Sequence, residues 1–373
     1  MGSLFEVGLP PVNGGRVRQA RELRSLTQSA LADAVGVDQT MIAHIERGTK
    51  QPNTELLDAL ATTLQLPPRF FRLSNAPELP QGSLLFRAKA GVGKRILART
   101  HAHSELAFEL AYQLSNYAQP LPVKLLRGTD PIECARATRS LMGYSSSEPA
   151  VGLVRAIERL GVLVIALPPS DDCDAFAVWG GPGRESPVMG LAGGRSADRT
   201  RMNAAHELGH LVLHAKFDGG TPALEREAYV FAAELLMPAA AIAAELQADR
   251  LNLFTLAQLK SKWQVSMQAI ARRGRDLAII SDRQYRYLMQ QISARGWRTN
   301  EPEFSPMKPE LPRALKKMVE VVFGPSAKAA TIAHRFDLSE SFVAELLSFY
   351  AMAPGKPQGK ETTSGGIVLA FKT

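Results

Sequence analysis

His206, Glu207 and His210, in the run His206-Glu207-Leu208-Gly209-His210, place two imidazoles four residues apart with a carboxylate between them. Four residues is about one helical turn, so both rings lie on one face and can reach one ion. Zinc favours nitrogen ligands in a tetrahedron, and a catalytic site keeps one position for water. Glu207 then has the chemistry of a general base, taking a proton from the attacking water and passing it to a leaving amine. A third ligand is required, and a second helix follows, capped at Thr221-Pro222 and stopped by Pro238. It carries Glu225, Glu227 and Glu234 as candidates. His214 sits a further turn beyond His210, too far along the helix to share the ion, and reads as a residue supporting the ligands.

A second group of residues has the types and spacing for reading DNA. Thr27 caps a helix over 28–35 that Gly36 closes, and Asp38 caps another over 39–47 that Gly48 ends. Two short helices joined by a Gly-containing turn make a helix-turn-helix, whose second helix enters the major groove with its first residues. Those are Gln39 and Thr40, with Met41 and His44 expected on the same exposed side and Ile42 and Ile45 in the core. Gln pairs bidentately with adenine and Thr contacts a thymine methyl. Gln28, at the start of the preceding helix, is placed to meet a phosphate. A double-stranded operator is the expected partner, and a homodimer follows because such domains usually read two half-sites.

These residues need elements to hold them. Residues 15–25 read as a first helix, with Val17 and Leu23 on one side and Arg16 elsewhere, and Thr54 as the cap of a fourth over 55–64. The apolar run 161–167 reads as a buried strand, with two more over 175–179 and 188–191, a small sheet beside the active helix. An edge strand there could hold an extended peptide. Residues 104–117 form an amphipathic helix for core or dimer packing. The stretch 256–275 again looks like helix-turn-helix and is basic through Lys260, Lys262, Arg272, Arg273 and Arg275; a structural role for it is at least as well supported as DNA contact. Gly91-Val92-Gly93-Lys94 is not a phosphate loop, because Ala88 and Arg95 break the pattern.

The expected organisation is a DNA-binding domain over 12–74, a connector over 75–103, a zinc peptidase domain over 104–248, a helical region over 250–350 and a flexible tail over 354–373. The expected fold class is mainly α with a small β-sheet (α+β). A composition of 45% hydrophobic and 21% charged residues fits real cores. The net charge of +8 suits a polyanionic partner. Cys134 and Cys173 make no disulfide framework, and with no signal segment or membrane span in view a cytoplasmic setting is expected.

Two resemblances sharpen this reading. Residues 26–32, 35–42 and 45–48 resemble the Xre/Cro family of DNA-binding domains, which implies an all-α, lambda-repressor-like helix-turn-helix domain. His206–His214 followed by Glu225–Pro238 looks like the ImmA/IrrE metallopeptidase family. The Glu-Ala pair at Glu227-Ala228 is similar to that of thermolysin-like gluzincins, which implies Glu227 as third ligand, with Glu234 next and Glu225 facing elsewhere. The resemblance implies a gluzincin-like domain that cleaves a repressor protein, in trans or in its own chain, to control stress, phage or mobile-element genes. The alternative is a non-catalytic repressor or antitoxin whose peptidase-like domain senses a metal, ligand or partner.

Overall fold

The chain opens with α1 (Gly14–Leu23), α2 (Gln28–Val35), α3 (Gln39–Glu46) and α4 (Thr54–Leu64), closed by a 3-10 turn over Pro68–Arg72. These come from a computed structural model, which describes residues 9–80, 93–169, 173–215, 221–248, 251–302 and 307–350. The tail over 354–373 and the segment Gly91-Val92 lie outside the described residues. Thr27 caps α2 by accepting from the Ala30 N–H, and Gly36 ends it at φ 72°. Asp38 stands at the N-cap of α3 without a side-chain capping bond. The cap of α4 is Asn53, accepting from the Leu56 N–H, and Thr54 is already helical. Asn is the better cap of the two, since its short side chain reaches the free backbone donors. Val17, Leu31, Ile42, Ile45, Leu60 and Leu64 close the core of this unit.

Arg16 departs from expectation. It is 2% exposed, and its guanidinium donates to both Glu109 oxygens at 2.7 and 2.6 Å and to the Ser74 carbonyl at 2.8 and 2.6 Å. Glu109 belongs to α5 (Lys94–Leu114), a 21-residue helix that runs through the expected boundary at 103/104. The helix-turn-helix unit is thus anchored on α5 through α1, which leaves α3 clear of that contact.

Next come α6 (Pro131–Leu141), α7 (Leu153–Arg159), β1 (Leu163–Leu167), β2 (Ala175–Gly180) and β3 (Ser186–Ala192). The sheet order is β1-β3-β2, with β1 parallel and β2 antiparallel to β3. At its centre the Phe176 ring occupies the space of a side chain at Gly190, where a Cβ would come within 2.1 Å of it. The strands are apolar on both faces because two cores meet there. Ile165, Leu167, Phe176, Val178 and Val188 join one; Val164, Ala177, Trp179, Met189 and Leu191 join the other. The alternation is the period of two that a pleated strand imposes.

The second core is filled by α6 and α7, then α8 (Ala197–Leu213), α9 (Pro222–Leu236), α10 (Ala239–Ala248), α11 (Leu253–Trp263), α12 (Met267–Asp276) and α13 (Asp282–Ala294). The first core holds the helix-turn-helix unit, α5, and α14 (Ala314–Phe323), α15 (Ala329–Arg335) and α16 (Glu340–Phe349). Residues 250–350 therefore divide between the two cores. The basic residues of 256–275 are mostly neutralised. Lys260 Nζ reaches Asp198 at 2.9 Å and Glu301 at 3.1 Å, Lys262 pairs with Glu245 at 2.8 Å, and buried Arg273 pairs with Glu234. This stretch is a structural part of the second core. The fold is mostly helical with one small sheet. No single described helix is long and apolar enough to cross a membrane, and the bent pair α9–α10 meets the length and composition test only when its two halves are joined across a 69° bend.

His103 on α5 is buried between Phe342 and Phe349 of α16, with ring centroids 5.3 and 6.2 Å away. Burial pushes its imidazole down to about 4 from 6.5, against a backbone hydrogen bond with Ala166. The unfolded chain thus binds this proton more readily, so the contribution to stability is full above pH 6.5 and is lost as pH falls toward 4. The gap corresponds to about 3 kcal/mol. His103→Leu is expected to remove that slope, so its stability relative to wild type should rise by about 3 kcal/mol between pH 7 and pH 4 in urea unfolding. Parallel pH curves for the two proteins would contradict the buried, neutral histidine.

Candidate metal centre

Helices α8 and α9 lie against one another, and Gly209 is what lets them. A Cβ there would come 3.1 Å from the Phe231 ring and 3.2 Å from the Ala228 backbone. Leu208, Leu211 and Val212 bury the inner side of α8. His206 and His210 emerge on the side facing the start of α9, which Thr221 caps by accepting from the Leu224 N–H.

The two imidazole Nε2 atoms are 3.2 Å apart. The carboxylate that meets them is Glu225, with Oε2 3.3 Å from His206 Nε2 and Oε1 3.3 Å from His210 Nε2. These three residues form the one group among the described residues with donors close enough to hold a metal ion. Zinc bonds of about 2.0–2.1 Å to a tetrahedron's corners put neighbouring ligand atoms about 3.3 Å apart. Two imidazoles and a carboxylate at that spacing fit zinc in both chemistry and size.

Glu227 lies elsewhere. Its Oε2 is 2.9 Å from His214 Nε2, and His214 Nδ1 is 3.0 Å from His210 Nδ1. Residues two apart on a helix point to different sides, so only one of Glu225 and Glu227 can face the histidine pair. The expectation that Glu225 faces elsewhere is thus reversed in the structure. Glu227 instead ends a carboxylate–histidine–histidine chain of the kind that fixes the tautomer and orientation of a ligand imidazole. His214 is buried, and burial pushes its imidazole down while the Glu227 bond opposes the shift. Glu234 is 1% exposed and bound to Arg136 and Arg273, far into the core side of α9. Glu207 has no exposed surface. Cys134 and Cys173 are both buried and unbridged.

In the helix-turn-helix unit, Gln39 and Thr40 are exposed on the first turn of α3. Met41 is half-buried against the first core, and His44 holds Thr49 Oγ through Nδ1 at 2.9 Å. Gln28 donates its amide to Glu46 Oε2 at 2.8 Å, and Arg21 Nε donates to the same carboxylate at 2.6 Å. Its amide is therefore engaged within the unit.

Sequence reasoning passed over Tyr229 and gave Arg272 no place at the metal centre, yet both border a cavity of about 370 Å³ shared with His206 and Glu225. The signal was available: Tyr229 is one turn past Glu225. The Arg272 guanidinium stacks on the Tyr229 ring at 3.5 Å, and burial pushes the tyrosine hydroxyl up to about 12.

Residues 17–71 match the family described as Helix-turn-helix, and residues 157–274 match the peptidase family described as the IrrE N-terminal-like domain. The chain is 43% identical over 56 residues to the Transcriptional regulator ClgR of Mycobacterium tuberculosis, in two strains. That match covers 15% of this chain and 46% of the relative, so the chain spans about half the length of the curated relatives it matches. Among solved structures, PlcR of Bacillus thuringiensis with the peptide PapR7 and DNA is 10% identical, covering 91% of this chain and 92% of that one at a TM-score of 0.15. ComR of Streptococcus suis is 12% identical, covering 92% and 90% at 0.16. Scores of that size carry no argument about this chain.

Proposed function

We propose that this chain, which joins an Xre-type helix-turn-helix segment to an IrrE-like segment, is a cytoplasmic DNA-binding transcriptional regulator with a zinc-dependent endopeptidase site. The observation that carries the reading is the pair of imidazole nitrogens 3.2 Å apart on His206 and His210, each 3.3 Å from one oxygen of the Glu225 carboxylate, with Glu207 inside the same motif. The substrate is a repressor protein, another chain or this one. His206, His210 and Glu225 would hold the zinc, which would supply Lewis acidity to the scissile carbonyl and acidify water. Glu207 takes the proton of the attacking water and delivers it to the leaving amine. His214 and Glu227 hold the His210 ring in orientation. A non-cutting sensor of metal or partner is the second reading, favoured by the complete burial of Glu207.

The test is incubation of the zinc-loaded chain with candidate repressors, followed by mass spectrometry. Glu207→Gln is expected to keep one zinc per chain and lose all cleavage. Cutting that persists in the variant removes Glu207 as the base, and no cutting by wild type in the presence of bound zinc and operator favours the sensor.

The DNA-reading face is proposed to be α3, read by a homodimer on two half-sites, with Gln39 and Thr40 contacting bases and Met41 and His44 flanking them. Gln39→Ala with Thr40→Ala is expected to weaken specific operator binding by about 1–3 kcal/mol per lost bidentate contact, with zinc content unchanged. An unaltered footprint and affinity would move the reading surface off α3.

A further inference from the structure

The small cavity at His206 and Glu225 shares Tyr229 and Arg272 with the wall of a larger one of about 730 Å³. Met202, one turn before His206 on α8, forms part of its wall. The opposite wall comes from α12 and α13, with Tyr285, Arg286 and Met289, and from Arg298 beyond α13. This cavity lies outside the motifs that define the metal centre.

We infer that this cleft is the subsite for an acidic segment of the peptide substrate, with Arg272, Arg286 and Arg298 receiving its carboxylates. The inference rests on the peptidase reading for the word substrate, and on the cleft's own chemistry for the word acidic. Most cations of the neighbouring helices are neutralised, as Lys260 is by Asp198 and Glu301 and Arg273 by Glu234. At the cleft, two of the three lack a carboxylate partner among the described residues. Arg272 keeps a long ion pair of 3.7 Å with Asp276, which Arg275 shares at 2.9 Å, and its plane is held by stacking on Tyr229. Arg286 is exposed and has no carboxylate partner among the described residues. Arg298 donates through Nε to Ser293 Oγ at 2.8 Å, an uncharged acceptor, which leaves its outer nitrogens for a ligand. The nearby Glu301 is engaged by Lys260 and by the Met267 and Gln268 N–H groups.

Guanidinium groups are matched to carboxylates and bind them bidentately. Met202, Met289 and Tyr285 add an adaptable apolar lining suited to the side chains around an acidic residue. Distance sets the register. One helical turn separates Met202 from His206, a rise of about 5–6 Å, and an extended peptide advances about 3.3 Å per residue. Met202, in the wall of the cleft, is therefore about two extended residues from His206.

The test uses the full zinc-loaded Glu207→Gln chain and two fluorescein-labelled nonapeptides of equal apolar composition, one with two glutamates and one with glutamines in their place. Fluorescence anisotropy is expected to give about tenfold tighter binding of the acidic peptide, the size of one or two charge-assisted hydrogen bonds. Arg286→Glu with Arg298→Glu is expected to abolish the preference, and Arg286→Ala to halve it or more, with circular dichroism unchanged since both side chains are exposed. Equal binding of the two peptides, or a preference that survives the double variant, overturns the subsite. So does displacement of the acidic peptide by an oligonucleotide whose own affinity is lost in the double variant, which assigns the surface to nucleic acid. Arginine-dependent acidic binding with no cutting by wild type sustains the subsite and removes the peptidase reading. Cutting of a peptide library with no Asp or Glu enriched near the cut does the reverse.

Discussion

Glu225→Ala is expected to lose zinc far more completely than Glu227→Ala. In the first variant a donor disappears from a set spaced at 3.3 Å around the histidine pair, leaving two imidazoles to hold the ion alone. In the second the ligands remain, and what is lost is the acceptor that holds His214, which in turn steadies His210. Removing such outer support typically lowers metal affinity about 10–100-fold. Competition with a chromogenic chelator measures both. The expected order is wild type, then Glu227→Ala weaker by one to two decades, then Glu225→Ala weaker by more than that. His214→Ala should resemble Glu227→Ala, because the two act through the same ring. If Glu227→Ala empties the site while Glu225→Ala retains the metal, the ligand set is the one suggested by the Glu-Ala resemblance.

The second large effect is on stability. Arg16→Ala leaves Glu109 as an uncompensated carboxylate, with its side chain 8% exposed, and removes the donors to Ser74 as well. Breaking one partner of a buried ion pair costs about 3–5 kcal/mol. Urea unfolding should show a lower midpoint by that amount at an unchanged slope. The double variant Arg16→Met with Glu109→Leu should recover most of the loss, because replacing both charges by apolar groups removes the desolvation cost along with the attraction. A loss under about 1 kcal/mol in Arg16→Ala would mean that water reaches the pair, since that is the range of exposed ion pairs.

Much of this was legible from the residues. Thr27 and Gly36 bound α2 through local chemistry that needs no tertiary context, and the three apolar runs became the three strands. His206 and His210 were paired by the helical period alone. The third carboxylate was not readable in the same way. Glu225 and Glu227 sit on one helix, and which of them turns toward α8 depends on how the two helices cross. That crossing is set by Gly209 against Ala228 and Phe231. The resemblance in the Glu-Ala pair pointed to Glu227, whose carboxylate meets His214, while that of Glu225 meets the histidine pair. Arg16 failed for a related reason. An arginine on a helix reads as solvated unless its partner is known, and Glu109 is 93 residues away. The cap of α4 went to Asn53 over Thr54 by one position, a local competition between two acceptable capping residues.

The division of the C-terminal helices between two cores bears on the order in which the chain can be completed. Helix α5 presents His103, Leu106 and Leu110 to a core that α14–α16 finish, with Phe342 over His103 and the Tyr350 hydroxyl accepting from the Ala166 N–H at 3.2 Å. More than two hundred residues, including the whole metal centre, are synthesised between those partners. At about 5–20 residues per second, α5 waits on the order of ten to fifty seconds with an apolar face uncovered. During that interval the helix-turn-helix unit lacks the part of the first core that α14–α16 supply. A nascent chain stalled between α5 and residue 314 would thus carry the helix-turn-helix unit on a helix whose apolar face lacks its last cover.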